Sequence, residues 1–199
     1  MNILIDLVPT TVNIENVEYE INSDFRLSIL FELLMQDNSI DEEDKIIQAL
    51  QLYYPVIPPN ISEAVEQMLW FYRCGKDEVK SKNINKGRSK GTQIYSYDYD
   101  DYLIYSAFKQ IYSMDLQDIK YLHWWKFKAL FQCLDEKCLF SKVMGYRSMD
   151  LSKIKDKEEK NYYRKMQELY KIPINKDEKE KLNQIEKILS NGGDLSKVL

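Results

Sequence analysis

Apolar residues recur at helical spacing along much of this chain, most densely from Asp115 to Asp135 (DLQDIKYLHWWKFKALFQCLD), which predicts one long central helix. Asp115 is placed to cap its first-turn amides, and Asp118 stands where the helix dipole favours negative charge. On a wheel of about 100° per residue, Leu116, Ile119, Leu122, Phe127, Leu130, Cys133 and Leu134 share one face. Asp118, Lys120, Lys128, Gln132 and Asp135 lie opposite, but Tyr121, Trp124, Trp125 and Phe131 fall among or beside them. A helix with a single neighbour would leave those rings in water. The pattern predicts a helix packed on two sides, either wholly within its own fold or with one side given to a partner.

Earlier in the chain the period is shorter. Ile3 to Leu7, Val12-Asn13-Ile14 and Val17 to Ile21 alternate apolar and polar residues. Glu15-Asn16 occupies the place of a two-residue hairpin turn. A small N-terminal β-hairpin is expected, with Ile3 to Leu7 as a candidate third strand. Phe25 to Gln36, begun by Ser23 or Asp24, is apolar all round and is expected in the middle of a core. Ser39 to Glu42 reads as a capping box for a helix buried through Ile46, Ile47, Leu50, Tyr53 and Tyr54. Pro55, Pro58 and Pro59 then stiffen the connection, and Asn60 with Glu63 begins a third helix through Ile61, Val65, Met68, Leu69 and Tyr72. Gly75 after Cys74 marks its end.

Lys76 to Thr92 (KDEVKSKNINKGRSKGT) changes character, with six basic residues, two acidic ones and almost nothing apolar. Such a stretch cannot offset its ordering entropy by burial, so a flexible basic insertion is expected. Lys80, Lys82, Lys86, Arg88 and Lys90 would attract phosphate, or simply solubilise the loop. Tyr95, Tyr97 and Tyr99 follow at strand spacing, then Tyr102, Tyr105, Phe108 and Tyr112 at helical spacing. A short strand running into a helix begun by Asp98, Asp100 or Asp101 is predicted. Those aspartates would repel the phosphates of a single-strand stacking platform, which counts against nucleic acid. Further on, Cys138 to Gly145 predicts a short helix, Tyr146 to Asp150 a turn, and Lys153 to Lys171 an exposed helix stopped by Pro173. The tail from Lys176 carries Leu182, Ile185, Ile188 and Leu189 as a narrow stripe, either docked on the fold or offered to a partner.

Composition narrows the function classes. The chain has 199 residues and a formal charge of −4, which gives no global attraction to nucleic acid or anionic lipid. The N-terminal sequence lacks a signal peptide's basic and apolar regions, and no apolar run would span a bilayer. Three cysteines without framework spacing suit a reducing cytoplasm, so a soluble intracellular protein is expected. His123 lies about ten positions before Cys133 and shows no zinc-site spacing with it or with Cys138, nor an orienting residue for a cysteine nucleophile. Asp98, Asp100 and Asp101 lack the glycine and distal glutamate of a calcium loop. Lys86 to Gly91 only echoes a phosphate loop, with no strand before it. The expectation is a binding or assembly protein rather than an enzyme, with no cofactor and no metal. Its fold class is α+β, predominantly α-helical. The helix at Phe25 and the central helix point to a shared core, hence one domain over residues 1–173 with the basic insertion at 76–92, followed by the amphipathic tail 174–199.

Several strings, in this order, resemble one family: MNILIDLVPTTVNIENVEYEINSDFR, QLYYPVIPPNI, LWFYRCGK, YLHWWKFKALF and VMGYRSMDLSKI. It is the family named for gene product fifteen of tailed phages and prophages of low-GC Gram-positive bacteria, and the resemblance spans nearly the whole chain. It implies a gene lying between those of the major tail protein and the tape measure protein, a slot that usually encodes tail assembly chaperones. Such a protein would bind the tape measure protein, help recruit tail-tube subunits in the host cytoplasm, and be absent from the finished particle. A structural tail component retained in the virion is the alternative, and a nucleic-acid-binding protein using the basic loop a further one. Self-association is left open. For a chaperone, the expected partner-binding residues are Tyr121, Trp124, Trp125 and Phe131 of the central helix with Trp70 and Phe71 of the third, each equally readable as core packing.

Overall fold

Local polar signals set most of the element boundaries. The computed structural model describes residues 2–76 and 93–173. Among them a β-hairpin precedes seven helices: β1 (Thr11–Ile14), β2 (Val17–Glu20), α1 (Phe25–Gln36), α2 (Glu42–Tyr53), α3 (Ile61–Tyr72), α4 (Asp101–Tyr112), α5 (Trp124–Gln132), α6 (Leu139–Ser148) and α7 (Lys157–Leu169). The architecture is the expected α+β, mostly helical one. Ile14 pairs with Val17, and Glu15 and Asn16 turn the hairpin at φ 51° and 63°, the left-handed pair that matches strand twist. Asp24, Asp41, Asn60 and Asp156 cap four helices, accepting from the amides of Arg26 (3.0 Å), Asp44 (2.9 Å), Glu63 (3.2 Å) and Glu159 (2.7 Å). Ser39 does not start α2. Its amide and hydroxyl bind the Asp37 carboxylate, and Asp41 takes the cap.

Five further expectations are corrected. The long helix over Asp115–Asp135 does not form; only Trp124–Gln132 is helical. Arg26 Nη2 takes the carbonyls of Leu116 (2.9 Å) and Ile119 (2.8 Å), so that backbone is satisfied by a distant side chain. A bridge then pairs Asp24 with His123, with Phe25 N donating to Leu122 O and Trp124 N to Ser23 O. Ile3 to Leu7 is a turn rather than a third strand. Asn2 closes it through its carbonyl and side chain, leaving Leu4 88% and Leu7 94% exposed. No strand forms at Tyr95 to Tyr99; Ser96 N donates instead to Asp100. The turn expected from Tyr146 is helical as far as Ser148. Finally, α1 is not buried all round: it buries Phe25, Ser28 and Phe31 but leaves Leu30 and Met35 exposed. The basic segment from Asp77 to Thr92 and the tail from residue 174 lie outside the described residues.

Packing is centred on Phe127. Its ring stacks on Phe25 of α1 (4.6 Å between centroids) and on Phe108 of α4 (5.0 Å), joining α1, α5 and α4 in one sandwich. Around it α1 packs on α2 and α5, α2 on α3, α3 on β1, α4 on α6, and α6 on α7. Rings stacked at this spacing add to the stabilisation from burial alone.

Candidate partner-binding site

The six residues expected to meet a partner fall mostly into the interior. Trp124, Trp125, Phe71 and Phe131 are buried, and Trp70 is half-buried. The cause is a joint between the end of α3 and the start of α5. Helix ends leave carbonyls without partners. Here the Trp124 indole donates to Tyr72 O (2.9 Å) and the Trp125 indole to Phe71 O (2.7 Å). The end of α3 closes in a Schellman arrangement, with Cys74 N bonded to Phe71 O and Gly75 N to Trp70 O. Both Cys74 and Gly75 are left-handed, at φ 58° and 68°. Gly75 is also required sterically, since a Cβ there would meet Trp125 Cη2 at 2.8 Å. Trp70 lies edge-on to Trp125, and Lys128 sits 4.8 Å over the Trp124 ring. Phe131 is distant from this joint, packed against Tyr95, Tyr97 and Phe140. Tyr121 alone is exposed, at 51%, with its hydroxyl 2.7 Å from Ser23 Oγ. These rings do not line a groove, because the indole N–H groups reach buried carbonyls and draw the rings inward.

His123 holds the joint from the other side. Its Nδ1 accepts from Trp125 N (3.0 Å), so the ring proton sits on Nε2, which donates to Pro9 O (2.9 Å). Burial lowers its pKa, the Pro9 contact opposes this, and Lys126 adds to the lowering. His123 is therefore a neutral helix cap. Among the described residues no group of three or more His, Cys, Asp or Glu is placed to hold a metal ion. Burial also pushes the Cys74 thiol up, against the pull of Lys128 and Lys76.

An open apolar cleft lies elsewhere, between α1 and α4. Its volume is about 500 Å³, and Phe25 and Ile29 of α1, Tyr102, Ile104 and Tyr105 of α4, and Tyr97, Leu116 and Phe127 supply its apolar surface. Arg26, Asp101 and Gln117 stand at its edge. Ligand clefts commonly have volumes of this order. Two polar contacts hold its walls. Asp115 accepts from Lys109 Nζ (2.7 Å) and Tyr105 Oη (2.9 Å), tying α4 to the loop that carries Leu116. These hydrogen bonds, that from Lys109 foremost, bring the Asp115 carboxyl down to about 2. Behind the start of α4, the buried Asp100 accepts two bonds from Arg147, at 2.6 and 2.9 Å, while Arg147 also donates to Tyr170 O and Ile94 O. A buried pair is tolerated only when so fully bonded.

None of the cleft residues stood out along the chain as a binding site. The signal was present in α4, where Leu103, Ile104, Ala107 and Phe108 form the buried stripe and Tyr102, 57% exposed, lies off it. Of the aromatics at helical spacing, Tyr102, Tyr105, Phe108 and Tyr112, only Phe108 lies on that stripe. The α1 side gave no signal, because Ile29 and Leu33 look alike until the neighbouring helices are placed.

A family model described as Bacteriophage Gp15 protein matches residues 4–172. No curated protein and no solved structure matches the chain. The match spans most of the sequence, and the chain belongs to the Bacteriophage Gp15 protein family.

Proposed function

For this Bacteriophage Gp15 family member, we propose a non-catalytic role in tail assembly: a chaperone that holds an apolar helix of the tape measure protein until tail-tube subunits displace it. The observation that carries the reading is the open α1–α4 cleft, apolar on both walls and floored by Phe127. An amphipathic helix laid into such a groove buries its i, i+3, i+4 and i+7 side chains. A long tape measure helix outside its tube exposes apolar stripes that would otherwise aggregate. A cleft this short engages only a few anchors, which suits a contact that must later be released to the major tail protein. The site of action is the host cytoplasm, where tails are assembled. Among the described residues no helix is long and apolar enough to cross a membrane.

Co-expression with the tape measure protein of the same phage, followed by pull-down, tests this. Soluble, co-purifying tape measure protein is expected, and the double variant Ile29→Ser/Tyr102→Ala should lose it while staying folded. Tape measure protein that remains insoluble and unbound beside a folded partner would overturn the reading. A second reading, a component retained in the virion, is favoured by the exposed aliphatic turn at Leu4, Ile5 and Leu7, which suits a permanent interface. Mass spectrometry of purified particles separates the two.

A further inference from the structure

The charges around the cleft narrow what can occupy it, provided that the cleft is a docking site as proposed above. Its edge holds cations that are already committed. Arg26 Nη1 lies 3.2 Å from the Asp24 carboxylate, and Nη2 is spent on the Leu116 and Ile119 carbonyls. Lys109 is bound to Asp115 at 2.7 Å. The acids are different. Asp101, exposed on the first turn of α4, accepts from the Tyr102 amide at 2.7 Å and has no ion-pair partner among the described residues. Asp118, exposed and directly after the lining residue Gln117, lies within electrostatic reach of Tyr105 and Lys109 but makes no ion pair among the described residues. Lys120, two positions after Asp118 in sequence, is an exposed cation. Of the two charged residues that line the cleft, the one left without an ion pair among the described residues is therefore the acid, Asp101.

We propose that the cleft selects an amphipathic helix whose apolar stripe is flanked by lysine or arginine, with Asp101 meeting the flanking cation and Asp118 reinforcing it. Apolar anchors seat in the cleft and supply affinity, while complementary charge at the edge supplies selection and on-rate. An acid-flanked helix meets like charge at the mouth and is rejected.

The test uses the full chain and two synthetic helical peptides with the same leucine stripe, one flanked by lysines and one by glutamates, titrated calorimetrically. The lysine-flanked peptide should bind about tenfold tighter at low salt, with the gap closing as salt screens exposed charges. Asp101→Lys should erase or invert the preference. Asp118→Lys, which leaves α4 untouched, should weaken it. Equal binding of the two peptides overturns the charge selection and leaves the docking reading standing. Binding of neither overturns both. A preference that survives in Asp101→Lys/Asp118→Lys, with circular dichroism unchanged, also overturns the selection.

Discussion

The α3–α5 joint and the α1–α4 cleft are both built from aromatic rings, and Phe127 belongs to both, stacked on Trp124 on one side and forming part of the cleft surface on the other. Yet one is closed and the other open. In the joint, two indole N–H groups bond to carbonyls in the last turn of α3, so the rings are drawn in and the surface seals. In the cleft, Tyr105 is held at the edge by Asp115 and Tyr102 stays mostly in water, so the walls stand apart. Abundance of aromatic residues therefore does not mark a binding surface. Where each polar tip finds its partner decides whether the rings close up or leave a gap.

The largest effect separating the two regions is expected at Trp124, which is wholly buried. Trp124→Ala should cost about 3–5 kcal/mol in chemical denaturation. A loss under about 1 kcal/mol, in the range of an ordinary surface substitution, would mean that the joint is not the closed core described. A smaller effect is expected at His123, the only histidine, so its titration can be followed without overlap by NMR. Its folded-state pKa lies below the ordinary value of 6.5. The unfolded chain therefore binds the proton more readily, and the stabilisation from neutral His123 is complete above about pH 6.5 and is lost as pH falls below it toward the folded value. His123→Asn keeps a capping acceptor but gives up the Pro9 bond, at about 1 kcal/mol. It should also flatten the stability profile below about pH 6.5; an unchanged profile would show that the joint does not depend on the cap. The smallest effect is expected in the cleft. Tyr102→Ala should change stability by no more than about 0.5 kcal/mol while weakening partner capture. A marked loss of stability there would make the cleft a strained part of the core rather than a surface open to a partner.

Much of the architecture was legible in short stretches of sequence. Glu15-Asn16 between alternating strands specified the hairpin, Asn60 with Glu63 specified the start of α3, and the prolines after Tyr54 fixed where α2 could not continue. In each case the signal and the group it satisfies lie within a few residues. The site was far less legible. Asp115 to Leu122 has a helical pattern, but its carbonyls are claimed by Arg26 some ninety positions earlier, at |i−j| of 90 and 93, and its end is paired to Ser23 and Asp24. That break changes the direction in which Trp124 and Trp125 point and turns an expected binding face into core. It also sets Leu116 and Gln117 opposite α1, which forms one side of the cleft. Local hydrogen bonds and backbone preferences were written in neighbouring residues and could be read there. The orientation of the tryptophans, the inward turn of Tyr95 and Tyr97, and the gap between α1 and α4 came from competition for backbone partners between segments far apart in the chain, which no local pattern records.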